Sequence, residues 1–158
     1  NKIPAIVDHT PGGPVAVFET AAVLLYLAES TGRLLPTEPA ARANTLSWLI
    51  WGTSSLGGAL PQLHHFSDAA EQLPSAIERF TSDCVRMFKV QEKRLSAVEF
   101  LAGAYSIADI PSFCSTAGWL KRVKELSNGA LGDTPSTDRW LKAVGERAAV
   151  RKVMTPGA

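Results

Sequence analysis

Every strand-like segment of the 158-residue chain lies within its first 18 residues, and this asymmetry limits the possible folds more than any other feature. Pro4 to Val7 and Val15 to Phe18 are short apolar runs rich in Val and Ile, and the turn-forming stretch "DHTPGGP" separates them. This pattern predicts two strands joined as a hairpin. Because an isolated two-stranded hairpin is only marginally stable in water, the rest of the chain has to pack against it.

The rest of the sequence is helical in pattern. From Thr20 the apolar residues adopt helical spacing, and Gly32 supplies a stop signal. A proline-containing connector follows, in which Thr37 is a possible N-cap and Pro39 lies just inside the next helix. Further helices are predicted at about 40–60, with an interruption near "SSLGGALP", and at about 74–96, 106–126 and 137–153. We therefore predict an α+β chain that is mainly α, with a strand-bearing domain at 1–35 and an all-helical domain at 36–158.

Charge and cysteine content exclude several classes of function. The formal net charge is +1, so no strong field attracts nucleic acid or an anionic membrane, and we expect neither as a partner. The longest apolar runs are far shorter than the roughly 20 residues that a membrane crossing needs. Two cysteines, Cys84 and Cys114, are too few for a disulfide framework and have no metal-ligand spacing. These features predict a cytoplasmic protein without a metal site.

The clearest local motif is "YSIADI". Ser106 and Asp109 have the spacing of a capping box, with Asp in the usual Glu position, and Tyr105 and Ile110 have the spacing of a hydrophobic staple. The motif predicts the start of a buried helix near Ser106. We interpret Asp109 as structural rather than catalytic, because the sequence places no acid–base partner near it.

Taken together, "KIPAIVD", "FETAAVLLYLAE", the proline-containing connector, "IERF" and "YSIADI" resemble the cytosolic glutathione transferases. Within them the sequence is most similar to the nu-class enzymes with disulfide-bond reductase activity and to the yeast nitrogen-regulating prion protein. The resemblance implies the second half of a thioredoxin-like domain (β-β-α) followed by the all-helical C-terminal domain of the family. It also implies that the opening β-α-β unit, about 30 residues or more, would precede Asn1.

The resemblance assigns the glutathione site to the N-terminal segment. Pro4 matches the family's cis-proline, and Ile3 before it would pair through its backbone N–H and C=O with the cysteinyl part of glutathione. Thr20 would bind the α-carboxylate of the γ-glutamyl group at a helix N-terminus, and Glu19 would bind its α-ammonium. The residues alone are equally compatible with structural roles. In that interpretation Pro4 is a proline at the edge of a strand, Thr20 is the N-cap of the helix, and Glu19 is a charge that the helix dipole favours.

Two further basic residues are candidates for the same site. Lys2 would neutralise the glycyl carboxylate, or is simply solvated. Arg79 in "IERF" matches a position that contacts a second glutathione moiety, or is a surface arginine paired with Glu78 or Asp83. His64 and His65 are predicted to flank the acceptor cleft rather than bind a metal, since adjacent helix residues diverge by about 100°. Cys84 and Cys114 are predicted to be core thiols.

The activity that the resemblance implies is a glutathione-dependent transferase or disulfide reductase, in which the glutathione thiolate attacks an electrophile or a disulfide. Glutathione is then the co-substrate, a small electrophile or disulfide is the partner, and a homodimer is expected. The family's thiolate-stabilising residue comes from the first strand, so we expect it upstream of Asn1 and predict no catalytic residue within the chain. The alternative is a non-catalytic binding or regulatory protein of the same fold.

Overall fold

The computed structural model describes residues 3–154, which form a β-hairpin followed by a succession of helices. The strands are β1 (Ala5–Thr10) and β2 (Gly13–Phe18). The α-helices are α1 (Thr20–Thr31), α2 (Pro39–Ile50), α3 (Gly57–Ser67), α4 (Pro74–Ala97), α5 (Asp109–Leu126), α6 (Pro135–Gly145) and α7 (Ala148–Met154), with a π-helical segment (Trp51–Leu56) between α2 and α3.

The hairpin forms as predicted, but both strands extend into the predicted turn, β1 to Thr10 and β2 from Gly13. β1 and β2 pair antiparallel, in a register that runs from Ala5 opposite Phe18 to Thr10 opposite Gly13. Gly13 has a φ of 113°, a conformation that a side chain would disfavour, which explains a glycine at the turn. Strand alternation leaves Phe18 on an exposed face of the sheet, with 69% of its surface accessible.

Helix α1 connects the hairpin to the helical region. It ends at Gly32, whose left-handed conformation lets its N–H donate to the Ala28 carbonyl, as the predicted stop signal requires. The Tyr26 hydroxyl donates to Asp8 Oδ2 at 2.8 Å and ties α1 to β1. On its other side, Ala28 packs in a small apolar cluster with Leu49 of α2 and Ile107. Helix α1 therefore links the hairpin, through this hydrogen bond, to the apolar packing of the helical region.

The start of α2 differs from the prediction at one residue. Pro39 is the first helical residue, as predicted, but Glu38 rather than Thr37 is the N-cap. The Glu38 carboxylate accepts hydrogen bonds from the N–H groups of Ala40 and Ala41 at 2.9 and 2.7 Å. A carboxylate with two oxygens satisfies two of the unpaired N–H groups of the first turn at once, which a hydroxyl does less well.

The predicted interruption near "SSLGGALP" is a change of helix type, not a break. The chain passes from α2 through the π-helical segment into α3, which continues to Ser67 and carries Pro61 inside it. The hydroxyl of Ser54 donates to the Ile50 carbonyl at 2.8 Å, which satisfies one carbonyl of this irregular stretch. The predicted end near residue 60 was wrong, because the widened turn accommodates the glycines and the proline without ending the helix.

The core of the helical region lies on the apolar face of α4. Cys84, Val85, Met87 and Phe88 are buried there against leucines of the π segment, α3 and α5. A second cluster is centred on the fully buried Trp140 of α6. The boundaries of α4 agree with the prediction within two residues.

Helices α4 and α6 each use a side chain to bond to the backbone groups at one end of the other. The Glu92 carboxylate of α4 accepts from the N–H groups of Ser136 and Thr137, at 3.0 and 2.8 Å, where α6 begins. In return the Arg139 guanidinium of α6 donates to the carbonyls of Leu95 and Val98, at 2.8 and 3.0 Å, where α4 ends. Each helix thus supplies the partners that the other lacks at one end.

Two other predicted boundaries shift. Helix α5 begins at Asp109 instead of Ser106, because residues 106–108 form a turn before it. The predicted helix at 137–153 is two helices, α6 and α7, separated at Glu146 and Arg147. The predicted class, α+β and mainly α, is confirmed. Across residues 3–154, none of the helices combines the length and the apolar character that crossing a membrane would require.

Candidate functional site

One end of the hairpin brings together four of the predicted site residues. The register places Ala5 opposite Phe18, so Ile3 and Pro4, which precede β1, lie at the same end of the sheet as Glu19 and Thr20, which follow β2. Directly opposed residues of antiparallel strands have β-carbons roughly 5 Å apart, and the pair Ala5 and Phe18 connects the two segments at this end. The Ile3–Pro4 peptide bond is cis, and Ile3 is 96% exposed.

Glu19 occupies an unusual backbone conformation at this point. Its φ is 71° and its ψ 131°, on the positive side that residues with a β-carbon rarely adopt. Conformations of this kind cost on the order of 1–3 kcal/mol and occur preferentially at functional sites. The side chain of Glu19 is exposed and makes no capping bond to α1. It is therefore free to contact a ligand at the end of the hairpin.

The N-terminus of α1 opens onto the same place. Glu19 is the N-cap residue and Thr20 the first helical residue, so the alternative in which Thr20 serves as the cap is wrong. The first intrahelical bond runs from the Val23 N–H to the Glu19 carbonyl, at 2.9 Å. Within residues 3–154 no side chain caps the N–H groups before it, and the first turn holds no acidic residue. Three N–H groups and the positive end of the helix dipole are thus available to an anion.

The remaining site candidates lie apart from this group. Lys2 falls outside the residues that the structure describes. Arg79 lies on the exposed surface of α4, where its Nε donates to Asp83 Oδ2 at 3.0 Å, so of the two partners proposed for a surface role Asp83 is the one found. Its contact with a second glutathione moiety stays a prediction.

Asp109 is structural, as interpreted. It is fully buried, and its Oδ1 accepts from the Leu101 N–H and the Trp140 Nε1–H at 3.0 and 2.9 Å, while Oδ2 accepts from the Ser106 N–H at 3.0 Å. Burial raises the pKa of Asp109 above its ordinary value, although these hydrogen bonds oppose that shift. One of the two predicted capping-box bonds is found, since the Ser106 N–H donates to the Asp109 carboxylate. The other differs, because the Ser106 hydroxyl accepts from the Ala108 N–H and not from that of Asp109.

The two cysteines differ in environment. Cys84 is fully buried, and burial raises the pKa of its thiol to about 11, as suits the predicted core thiol. Cys114 is exposed, so its prediction as a core thiol was wrong. The buried face of α5 is formed by its neighbours Phe113 and Thr116, and Cys114 points away from that face. His64 and His65 are both exposed, and no cluster of three or more potential metal ligands occurs in the described part of the chain.

One arrangement of residues had no signal in the sequence. The guanidinium of Arg147 lies 3.6 Å from the centre of the Tyr105 ring, beside a cavity of about 330 Å³ between α5, α7 and the end of α1. The cavity has an apolar lining, and Arg33 also lies at it. These residues come from three distant segments, so no local spacing or motif could reveal the cavity.

The sequence is similar to two Escherichia coli proteins. No family model matches the chain. It is 42% identical over 159 residues to the disulfide-bond oxidoreductase YfcG, a match that covers 98% of this chain and 72% of that protein. It is 38% identical over 160 residues to the disulfide-bond oxidoreductase YghU, covering 96% of this chain and 54% of that protein. The chain thus spans about half to three quarters of the length of these relatives.

The fold is similar to that of a glutathione transferase from Burkholderia graminis, solved with two glutathione molecules bound per subunit. The TM-score is 0.86 at 33% sequence identity, and the match covers 99% of this chain and 68% of the other. The architecture that the resemblance implies, a β-β-α segment followed by an all-helical region, agrees with this match.

Proposed function

The chain belongs to the glutathione transferase family, and we propose that it acts on glutathione as a transferase or a disulfide reductase. One observation carries this proposal: the strand register gathers Ile3, Glu19 and Thr20 at the open N-terminus of α1. A site for a zwitterionic amino-acid head needs a carboxylate and a set of N–H donors side by side. Glu19 and the first turn of α1 supply both.

We assign each group of glutathione to a part of this end of the hairpin. The N–H and hydroxyl of Thr20 bind the α-carboxylate of the γ-glutamyl residue, favoured by the helix dipole. The Glu19 carboxylate binds its α-ammonium, and the exposed backbone of Ile3 pairs with the cysteinyl residue in the manner of an added strand. Lys2 lies next to this backbone in sequence and is proposed to neutralise the glycyl carboxylate.

Disulfide reduction is the favoured reaction, because both relatives named above are disulfide-bond oxidoreductases. In this reaction the thiolate of one glutathione attacks a sulfur of the substrate disulfide, a mixed disulfide forms and the other sulfur leaves as a thiolate. A second glutathione thiolate then attacks the glutathione sulfur of the mixed disulfide, giving glutathione disulfide and the second substrate thiolate. The two electrons that reduce the substrate come from the two glutathione thiols.

The second glutathione is the reason to keep Arg79 as a candidate. The Burkholderia enzyme holds two glutathione molecules in each subunit, and Arg79 is 75% exposed in its side chain. Its partner Asp83 also lies within 3.7 Å of Arg86, so the aspartate keeps a cationic neighbour when Arg79 turns to a ligand carboxylate. The exposed ion pair costs little to break.

The binding assignments are tested by calorimetric titration of glutathione into the 158-residue chain and its variants. Thr20→Val and Glu19→Gln each remove one proposed contact to a charged group, so we expect each to weaken binding about tenfold or more. Thr31→Val, at the other end of α1, and Glu71→Gln, on an exposed turn, are the matched controls and leave the affinity unchanged. Equal affinity in all five proteins would contradict the proposed site.

A ligand analogue makes the Glu19 assignment specific. Glutathione without its α-amino group has nothing for the Glu19 carboxylate to bind, so Glu19→Gln should cost it no affinity relative to the parent chain. If the variant weakens the analogue as much as it weakens glutathione, the carboxylate acts elsewhere and the assignment is wrong.

Turnover is a separate question from binding. We have assigned no residue of the 158-residue chain to stabilisation of the thiolate, so we propose that this chain binds glutathione but conjugates an aryl halide slowly or not at all. Spectrophotometric assay with an aryl halide measures this, and robust turnover by the 158-residue chain would contradict it. We also propose a homodimer, which sedimentation equilibrium tests directly.

A further inference from the structure

A second cavity, of about 570 Å³, lies where α4 begins and α5 ends, and we call it the α4–α5 cavity. Its floor contains Ile77, Val85 and Leu126, which belong to the core cluster of α4 or pack against it. Thr81 and Ser127 on its walls are also buried. The volume lies in the range of small-molecule sites, and the packed core beneath the floor makes the cavity a fixed feature of the helical region.

The α4–α5 cavity carries a carboxylate without a counter-ion. Glu78 lines it and is exposed, and among residues 3–154 no Lys, Arg or His nitrogen lies within 4.0 Å of its oxygens. Arg79, which follows it in sequence, pairs instead with Asp83 at 3.0 Å. Lys124, in the last turn of α5, pairs with Asp138 at 3.9 Å. None of the described residues that line the cavity is basic, so the negative charge there is not neutralised.

Uncharged oxygen atoms extend this acceptor surface. The Gln72 amide is held in place by its Nε2, which donates to the carbonyls of Ser67 and Ala69 at 3.1 and 2.9 Å. This arrangement leaves its Oε1 as an acceptor at the cavity. The hydroxyl groups of Thr81 and Ser82 line the cavity as well and supply further oxygens.

The helix ends at the cavity also favour positive charge. Helix α5 ends at Leu126, which lines the cavity, so the negative end of its dipole lies there. The N-terminus of α4 offers little to an anion, because its first residue, Pro74, has no N–H. The next two groups that face outward, the N–H groups of Ala76 and Ile77, already donate to one carbonyl, that of Leu73, at 3.0 and 3.1 Å.

The α4–α5 cavity is remote from the hairpin end that we assign to glutathione. Helix α5 begins beside the end of α1, since the Ile107 N–H donates to the Leu34 carbonyl at 3.0 Å. From there its 18 residues extend roughly 27 Å, at about 1.5 Å per residue, to the cavity. Neither Ile3, Glu19 nor Thr20 lines it. A ligand in the cavity therefore does not touch the γ-glutamyl or cysteinyl group.

We propose that the α4–α5 cavity binds an organic ammonium ion, a primary amine on a short apolar body. An ammonium group has three N–H donors and no acceptor, so it matches a lining of oxygens around one carboxylate. It pairs with Glu78 and donates to Gln72 Oε1, while the body covers Ile77, Val85 and Leu126, where burial supplies the hydrophobic free energy. Charge complementarity selects a cation over a neutral or anionic molecule of the same shape.

Titration of hexylammonium chloride into the ¹⁵N-labelled 158-residue chain, followed by NMR at neutral pH, tests both the location and the charge requirement. The amide signals of Ser82 and Asn128, which line the cavity on opposite sides, should shift with one common affinity. Glu78→Gln should weaken binding about tenfold, because it removes the charged partner of the ammonium. Absence of shifts at these two amides would overturn the proposal.

Glu71→Gln is the matched control. It removes the same charge from the exposed turn just before α4, but Glu71 does not line the cavity, so we expect less than about a twofold change. Equal loss in the two variants would reduce the effect to general electrostatics and overturn the proposal.

A neutral probe separates the charge from the apolar body. 1-Hexanol should bind the parent chain about tenfold more weakly than hexylammonium, and the two probes should bind Glu78→Gln with similar affinity. If hexanol binds the parent chain as tightly as hexylammonium does, the cavity does not select a cation and the proposal fails.

A bulky side chain tests occupancy of the cavity itself. Ser82 is exposed at its rim, so Ser82→Trp should fill part of the space and abolish binding without loss of the folded state, which circular dichroism checks. Ser96→Trp, at an exposed position near the other end of α4, should leave the affinity unchanged. Unchanged binding in Ser82→Trp would contradict the proposal.

The carboxylate of Glu19 must be distinguished from that of Glu78, since we assign an ammonium group to it as well. Glu19→Gln should leave the affinity for hexylammonium unchanged, and saturating glutathione should not displace the amine. If instead Glu19→Gln abolishes binding and Glu78→Gln does not, the amine binds at the end of the hairpin and the proposal of a site in the α4–α5 cavity fails.

Discussion

The backbone of Glu19 offers a sharp test of whether a strained residue is retained for binding. Its φ of 71° costs a residue with a β-carbon about 1–3 kcal/mol. Glycine adopts this conformation freely but loses about 0.5–1 kcal/mol more entropy on folding. Glu19→Gly should therefore be more stable than Glu19→Ala by roughly 0.5–2 kcal/mol, since the two variants differ only in the β-carbon. Both lose the carboxylate and should bind glutathione equally weakly.

Urea unfolding followed by circular dichroism measures this difference, and at roughly 2–4 °C per kcal/mol it also appears in the melting temperature. The matched pair is Glu29→Ala and Glu29→Gly inside α1, where glycine should be less stable than alanine by about 1 kcal/mol. The order of stability should thus reverse between the two positions. If Glu19→Gly is no more stable than Glu19→Ala, the backbone at this residue is not strained and the reasoning fails.

Three other predictions concern the helical region. Asp109→Asn should lower the free energy of unfolding in urea by about 2–4 kcal/mol. The reason is that an amide group in place of Oδ2 faces the Ser106 N–H and leaves that buried donor unpaired. A loss below about 1 kcal/mol would refute this. In the folded chain, mass spectrometry after brief maleimide treatment at neutral pH should find Cys114 modified and Cys84 intact, because burial raises the pKa of Cys84 to about 11. The hydrogen bonds from two N–H groups at the start of α2 lower the pKa of Glu38 in the folded chain. The ionised Glu38 therefore stabilises the folded chain at pH values above its unfolded-state pKa, and this stabilisation disappears as the pH falls through the folded-state pKa. Glu38→Gln should accordingly lower the melting temperature at pH 7 more than near pH 3, and an equal loss at both would contradict the assignment.

The sequence predicts elements well where the signals are local. The hairpin, α1 and α4 agree with the structure because alternation, a C-terminal glycine and a sustained apolar face act within a few residues. The region from Trp51 to Pro61 was predicted less well. Glycines and a proline normally end a helix, and only tertiary packing decides that the chain continues as a π-helical segment instead. The close approach of Gly52 to Ser112 belongs to this packing.

The residues of the candidate site and the cavity beside Arg147 also differ in whether local sequence patterns predict their positions. Ile3, Pro4, Glu19 and Thr20 lie beside strand and helix ends that local patterns locate, whereas their assignment to one glutathione site came from the family resemblance. The exposure of Cys114 could not be predicted, because helical spacing alone did not separate the buried face of α5 from the adjacent one. The cavity beside Arg147 depends on three segments distant in sequence, and only the folded chain juxtaposes them.

The stabilities of α4 and α6 are coupled, because a side chain of each helix bonds to the backbone groups at one end of the other. If α6 detaches, the carbonyls at the end of α4 lose Arg139 and the buried Leu95 loses part of its cover; if α4 frays, the first N–H groups of α6 lose Glu92. Neither helix can open alone without exposing unsatisfied groups on the other. Amide hydrogens in both should therefore exchange with solvent through one shared opening event, which makes this pair a single cooperative unit within the helical region.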